Sequence, residues 1–395
     1  MKRIVLAALV LAGCRAAPPT ERYGFVARLG NDTVAVVSVV RSGNTLTSDE
    51  VDRFPMVRER HTVITLAPNG GVERLVSEVH TPGDSAPHRF RHIEAEVKND
   101  KVTLTKRDSA GTKSYEFPTG GAVVVPHVDQ MYSLYEQRFL AARAHAAAAN
   151  KTTDTVHLRQ FYVDREFDRF PLHGAVVRVL PNGRMEIEHD WLAGTGEATV
   201  DSAGRLQHYS GAQTTYRIEA ERLAAPPDVK PIYERFAAQE AKTGTKSLSV
   251  RDTARASIGA ASFSVDYSRP LARGRQLVGG IIPLDHVWRT GANAATQFTT
   301  SAPITLAGLR LEPGTYTLWT VPRADRVELI VNKQHGQWGT SYDRAQDLGR
   351  APLDTAANAT PVEQFTISIA PKDAKHGTLA LEWGPFRWTA PIVVL

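Results

Sequence analysis

Residues 61–79, "HTVITLAPNGGVERLVSEV", decide the architecture of the first half of the chain. Two runs of alternating apolar and polar residues carry the period of strands with one buried face. Between them stands Asn69-Gly70, a pair that tolerates the positive φ of a tight turn, so the stretch reads as a β-hairpin. The design recurs in both directions. "TVAVVSVV" (33–40) is a β-branched run; "VKNDKVTLTKRDSAGTKSYEF" (97–117) and "GAVVRVLPNGRMEIEHDW" (174–191) are further strand-turn-strand units. "GEATVDSAGRLQHYSGAQTTYRIEAERL" (196–223) continues the meander. Residues 23–223 are therefore expected to form one antiparallel, curved β domain.

One segment breaks the rhythm. "VDQMYSLYEQRFLAARAHAAAAN" (128–150) places Val128, Met131, Tyr135, Phe139 and Ala142 at helical spacing, with Pro126 before it and Asn150 at its end. The spacing predicts an amphipathic helix over about 127–149 that covers one side of the curved sheet. That arrangement resembles the half-barrel of lipoprotein-carrier and lipid-binding lipoproteins of the LolA and LppX groups. The resemblance is architectural and implies an apolar ligand sheltered in the N-terminal domain; a meander whose helix simply covers the core is the other reading.

Residues 224–254 read as a linker. Pro226-Pro227 and the small and charged residues after them mark a boundary, and a short helix over 232–241 is expected to bridge the halves. "KTGTKS" (242–247) has neither the upstream glycine nor the Gly-Lys-Ser/Thr order of a phosphate loop.

The N-terminus carries different information. "MKRIVLAALVLAGC" has two basic residues, an apolar run too short to span a membrane, and small residues leading to Cys14, the single cysteine. "LAGC" resembles the lipobox of bacterial lipoproteins, which implies a signal peptide with lipobox over 1–14, a lipidated Cys14 as the first residue of the mature chain and its membrane anchor, and a tether over 15–22. Arg15 stands where an aspartate favours retention in the inner membrane, so the expected location is the outer membrane, facing the periplasm. With one cysteine no disulfide forms within the chain, and 395 residues must be stabilised by buried apolar area. The net charge of +5 is spread among acids without a dense basic run, which argues against nucleic acid as a partner.

From residue 255 to 395 the pattern is again β. "ITLAGLRLEPGTYTLWTV" (304–321) joins strands through Pro313-Gly314, and "VELIVNK", "QFTISIA" and "TLALEW" add alternating runs. An antiparallel β-sandwich is expected, making the whole protein mainly β. "DYSRP", "GR", "WRTGAN", "GTYTL", "NK" and "WG..YD" occur here in the order and spacing of the bacterial domain-of-unknown-function family 2911, which this half resembles. The resemblance implies an extracytoplasmic β-rich domain without an established activity.

Polar and aromatic residues stand out against that background. In "WRTGAN", Trp288 and Arg289 point to opposite faces of an extended segment, and Gly291 permits a bend that returns Asn293 to the backbone or to a ligand. Arg269, Arg275 and Arg289 are guanidiniums suited to carboxylate or phosphate, with Asp266, Asp343 and Asp347 as counter-charges. With Asn332, Trp338 and Tyr342 the set suits a glycan or small polar ligand, aromatic faces supplying apolar area and amides orientation. Arginine-aspartate pairing between loops and tryptophan filling core is the competing structural reading.

Catalytic templates fail: neither Gly-x-Ser-x-Gly nor His-Glu-x-x-His is present. A hydrolase built from His286 and Asp285 beside Arg289 is the remaining enzymatic alternative, and His335 with Asp343 is a weaker version of it. His88 and His92 in "PHRFRH" share a strand face but lack a third histidine or local carboxylate, so no metal or cofactor is expected.

Overall fold

The computed structural model describes residues 19–163, 172–189, 194–244 and 247–395. Cys14 and the leader lie outside the described residues. The fold is mainly β, in two antiparallel systems.

The hairpin at 61–79 forms as its pattern demands. Strands Arg58–Leu66 and Val72–His80 pair in the register Ile64↔Leu75 and Leu66↔Val72, which puts Ile64, Leu66, Val72 and Leu75 on one buried face. Gly70 takes φ +80° at the turn, and the Asn69 side chain accepts from Gly71 N at 3.0 Å. Such hairpins run together into one 15-stranded sheet with the first strand, Thr20–Leu29, at its middle. One flank meanders out to Gly111–Pro118; the other runs from Glu219–Leu223 back to Val123–His127. That last strand pairs parallel with Asp154–Tyr162, a connection that requires a crossover, and the helix Tyr132–Ala148 supplies it.

This central helix corrects the sequence expectation. Tyr135, Phe139 and Ala142 are buried as their spacing predicts, but Ser133, Glu136, Gln137 and Arg138 are equally buried. The reason is the curl of the sheet. A Cβ on Gly70 would stand 2.9 Å from Ala141 Cα and one on Gly71 2.9 Å from Val124 O, so the hairpin turn lies directly on the helix and on the far strand. The sheet thus surrounds a helix that was expected to cover it. Glu136 and Gln137 find partners inside: Glu136 accepts from Tyr23 Oη at 2.5 Å, Leu206 N at 2.9 Å and Arg222 Nη1 at 2.5 Å, and Gln137 donates to Gly70 O. Tyr132, Tyr135, Phe139 and Phe161 fill the space in which a carried apolar molecule would sit, so the interior is a packed core.

The linker helix, Lys230–Thr243, also differs from expectation. Rather than bridging the halves it lies on the convex outside of the first domain, where Phe236 packs on Val26, Val36, Val51 and Val57 and Glu240 accepts from Val57 N at 2.8 Å. The outward residues of those central strands are apolar, and the helix covers them.

The second system starts at Ser249, ahead of the expected boundary at 255. Strands Ser249–Ile258, Ala261–Pro270, Thr296–Thr300, Gly314–Pro322 and Val327–Asn332 form one sheet. The 25-residue strand Asp347–Pro371 pairs with it over residues 347–353 and from Asp354 on joins His376–Val394 in the second sheet, with two irregularities between Ala357 and Thr366. The two layers close on Phe263, Phe298, Leu329, Phe365, Leu381, Trp383 and Trp388, giving the expected sandwich.

The two domains touch at a tight point. A Cβ on Gly30, at φ +59°, would lie 2.2 Å from Arg273 O, and one on Gly274 2.4 Å from Asn31 Nδ2. Asn31 N donates to Arg273 O at 3.0 Å, and Arg273 Nε donates to Asp32 at 2.8 Å.

Candidate functional site

Beside that contact the domains leave a cleft of about 1030 Å³. The first domain reaches it with the polar end of its inner face. Along the strand at 58–66 the buried side chains pass from Leu66 and Ile64 to Thr62 and then Arg60, which lines the cleft with Asp52. Arg58 (3.4 Å) and Arg60 both hold Asp52. Asp129 lines the same wall, accepting from Tyr216 Oη at 3.1 Å and pairing with His127 Nε2 at 2.9 Å. Behind it, buried Arg138 donates to His127 Nδ1 at 2.5 Å and to Pro126 O at 2.9 Å; burial pushes this guanidinium down to about 10.

The second domain contributes the "WRTGAN" loop. Trp288 exchanges backbone hydrogen bonds with Thr320, and its indole turns inward against Phe365 and Trp383, while Arg289 faces the cleft. Thr290 and Asn293 take φ of +52° and +59°, and this bend brings Asn293 O back to accept from Arg289 Nη1 at 3.1 Å and from Gly339 N at 3.0 Å. Gly339 is needed there: a Cβ would lie 2.4 Å from Arg289 Cδ. The Asn293 side chain stays exposed at the rim.

Of the residues singled out from sequence, Arg275, Trp288, Arg289, Asn293, Trp338 and Tyr342 line this cleft. Trp338 is 55% exposed, so its indole face is open at the cleft. Tyr342 packs on Trp319 and donates to Asp347 at 2.7 Å; burial and that carboxylate push its hydroxyl up to about 12. Arg275 donates to Ala272 O at 3.0 Å and Leu271 O at 2.7 Å, and burial, with Arg273 and Arg217 adding repulsion, pushes it down to about 10.

Arg269, Asn332 and Asp343 are not brought to the cleft. Arg269 is spent on Asp252, Thr366 and Phe365 O, tying the sandwich layers together. Asn332 is fully buried, donating to Asp343 O and Asp347 and accepting from Gln334 N, so it holds the loop that carries Tyr342. Asp343 caps a short 3-10 turn at Ala345 N. Of the remaining counter-charges, Asp266 pairs with Arg251 and Asp347 with Tyr342 and Arg350.

The hydrolase arrangement does not assemble. Asp285 pairs with Arg323 at 3.2 Å and exposed His286 turns to Leu284 O at 2.7 Å, both away from the lining that holds Arg289. His92 differs from the sequence reading too, since Glu78 (2.5 Å) and Glu94 (2.8 Å) supply the carboxylates it was expected to lack; His88 lies 3.6 Å from Asp108.

Sequence reasoning missed Arg217, which lies far along the chain from Arg275 and Arg289 and reaches the cleft from the first domain. It sits at φ +50° and donates Nη1 to Ala212 O at 2.9 Å and, across the domain boundary, to Gly280 O at 3.1 Å. A turn residue forced into the left-handed region is its only local mark.

No curated protein matches this sequence. Two solved structures are similar in part. A β-barrel-like protein of the domain of unknown function DUF1849 from Brucella abortus is 11% identical, covering 53% of this chain and 97% of its own, with a TM-score of 0.33. A DUF1089 family protein from Pseudomonas aeruginosa is 12% identical, covering 52% of this chain and 97% of its own, with a TM-score of 0.31. The C-terminal sandwich, over residues 249–392, matches the model of the family DUF2911, described as a protein of unknown function.

Proposed function

We propose that the protein is a ligand-binding protein of the cell envelope, tethered by a lipid on Cys14, whose interdomain cleft takes a polar ligand of sugar size. The observation that carries this reading is the exposed indole of Trp338, standing in a cleft whose lining includes guanidiniums, amides and the Tyr342 ring beside the paired carboxylates Asp52 and Asp129. An aromatic face with converging hydrogen-bond donors is the usual chemistry of carbohydrate recognition. Interdomain clefts are favoured places for such sites.

Native mass spectrometry of the full-length protein released from its membrane tests the reading. A bound polar small molecule is expected on the wild type and absent from Trp338→Ala, with the melting temperature unchanged. A wild type that carries nothing, or a ligand indifferent to Trp338→Ala, overturns it. The tether is tested apart from the cleft: Cys14→Ser is expected to move the protein from the membrane to the soluble fraction.

A further inference from the structure

The charged groups of the cleft differ in how they are paired. Asp52 is taken by Arg58 and Arg60, Asp129 by His127 and Tyr216, and Arg273 by Asp32. Arg217, Arg275 and Arg289 remain. Each lines the cleft, each is partly buried, and each donates only to backbone carbonyls: Ala212 and Gly280, Leu271 and Ala272, and Asn293 respectively. Carbonyls satisfy N–H groups but do not balance charge, and among the described residues these guanidiniums form no ion pair; Glu363 and Asp32 act on Arg275 from a distance, but both are bonded to Arg273. They are also close enough to disturb one another, since Arg217 depresses the proton affinity of both Arg275 and Arg289. A fold gains nothing in stability from gathering like charges where water is partly excluded.

Their free donors match a specific need. Arg217 and Arg289 use Nη1 and keep Nε and Nη2, while Arg275 uses Nε and Nη2 and keeps Nη1. A guanidinium edge of Nε and Nη2 is the fork that takes two oxygens of one carboxylate or phosphate. Resting on the binding reading above, we infer that the cleft selects ligands carrying a carboxylate or phosphate group, held between Arg217 of the first domain and Arg275 and Arg289 of the second. The anion replaces the missing counter-charge, and because Arg217 belongs to the other domain, ligand and domain contact reinforce each other.

Calorimetric titration of the full-length protein at fixed ionic strength tests this with inorganic phosphate, trigalacturonic acid and the neutral trisaccharide maltotriose. Both anions are expected to bind the wild type, and maltotriose at least about tenfold more weakly than the acidic trisaccharide. Arg217→Gln and Arg289→Gln are each expected to weaken anion binding by about tenfold or more. Asn293→Asp keeps the test open should those variants fold poorly: its side chain is exposed, aspartate accepts the positive φ, and the added charge is expected to weaken both anions. Tighter binding of trigalacturonic acid than of phosphate assigns an acidic sugar, and equal binding a small free anion; both uphold the shared chemistry. Maltotriose binding as tightly as the acid, or anion binding unchanged in the arginine variants, overturns the inference; it leaves the cleft reading standing if Trp338→Ala still abolishes maltotriose binding. A wild type that binds neither anion overturns it outright.

Discussion

Two regions of this molecule draw arginine out of water, and they treat it in opposite ways. Inside the curled sheet, Arg222 lies 3.6 Å over the Tyr23 ring and 2.5 Å from Glu136, whose oxygens also take Tyr23 Oη and Leu206 N. Charge meets charge there, and the surrounding donors complete the shell. In the cleft, Arg217, Arg275 and Arg289 hydrogen-bond only to neutral carbonyls, and the carboxylates that act on Arg275, Glu363 and Asp32, are bonded to Arg273. A buried pair that is complete holds a fold in place and loses much when broken; a cation left without its anion is a cost that the fold alone does not repay. Pairing, rather than burial, separates the arginine spent on the fold from those of the proposed anion site.

The sharpest way to break this comparison is to remove the anion inside the curled sheet. Glu136→Ala strands Arg222 and Tyr23 and is expected to destabilise the protein by about 3–5 kcal/mol, read as a lower denaturant midpoint. Stability equal to the wild type would mean that the internal pair is as dispensable as the cleft arginines, and the contrast would dissolve. A somewhat smaller effect is expected at the domain contact. Gly30→Val adds a branched side chain where a Cβ already falls 2.2 Å from Arg273 O, at φ +59°. The left-handed region alone costs a non-glycine residue about 1–2 kcal/mol. The expected result is undocked domains, seen as a larger radius of gyration in small-angle scattering and as loss of binding. Unchanged scattering with normal binding would show that the cleft does not depend on this contact.

How much of this was legible in the sequence follows from the range of the forces involved. Asn69-Gly70 and its flanking alternation are local, and the hairpin forms as read. The DUF2911 motifs are local too, and they place Trp288, Arg289, Trp338 and Tyr342 around one cleft because strand pairing such as Trp288↔Thr320 and Ala294↔Trp338 joins their segments. The central helix was harder. Helical period marks which residues are apolar, but Glu136 and Arg138 read as a solvated face until the sheet curls round them, and curl is a property of the whole meander. Arg269 and Asn332 carry the same chemistry as Arg289 and Asn293, and only tertiary partners show that they are spent on the fold. Arg217 was invisible for the converse reason: its role comes from docking two domains, which no local pattern encodes.

The smallest expected change in stability is the one that sharpens the comparison most. Arg289→Gln removes a single hydrogen bond, to Asn293 O, which is a loss of about 1 kcal/mol or less. Against that loss stands a gain. Burial first, and Arg217 second, hold the proton affinity of Arg289 below that of a free guanidinium, so its charged form is disfavoured in the folded state. A neutral amide escapes both penalties, and the two effects offset. The variant is therefore expected to melt within about 1 kcal/mol of the wild type. Added salt screens the Arg217–Arg289 repulsion, so it should stabilise the wild type more than the variant. A loss of several kcal/mol, with the salt response unchanged, would make Arg289 a second Arg222, held for structure, and would withdraw it from the anion site.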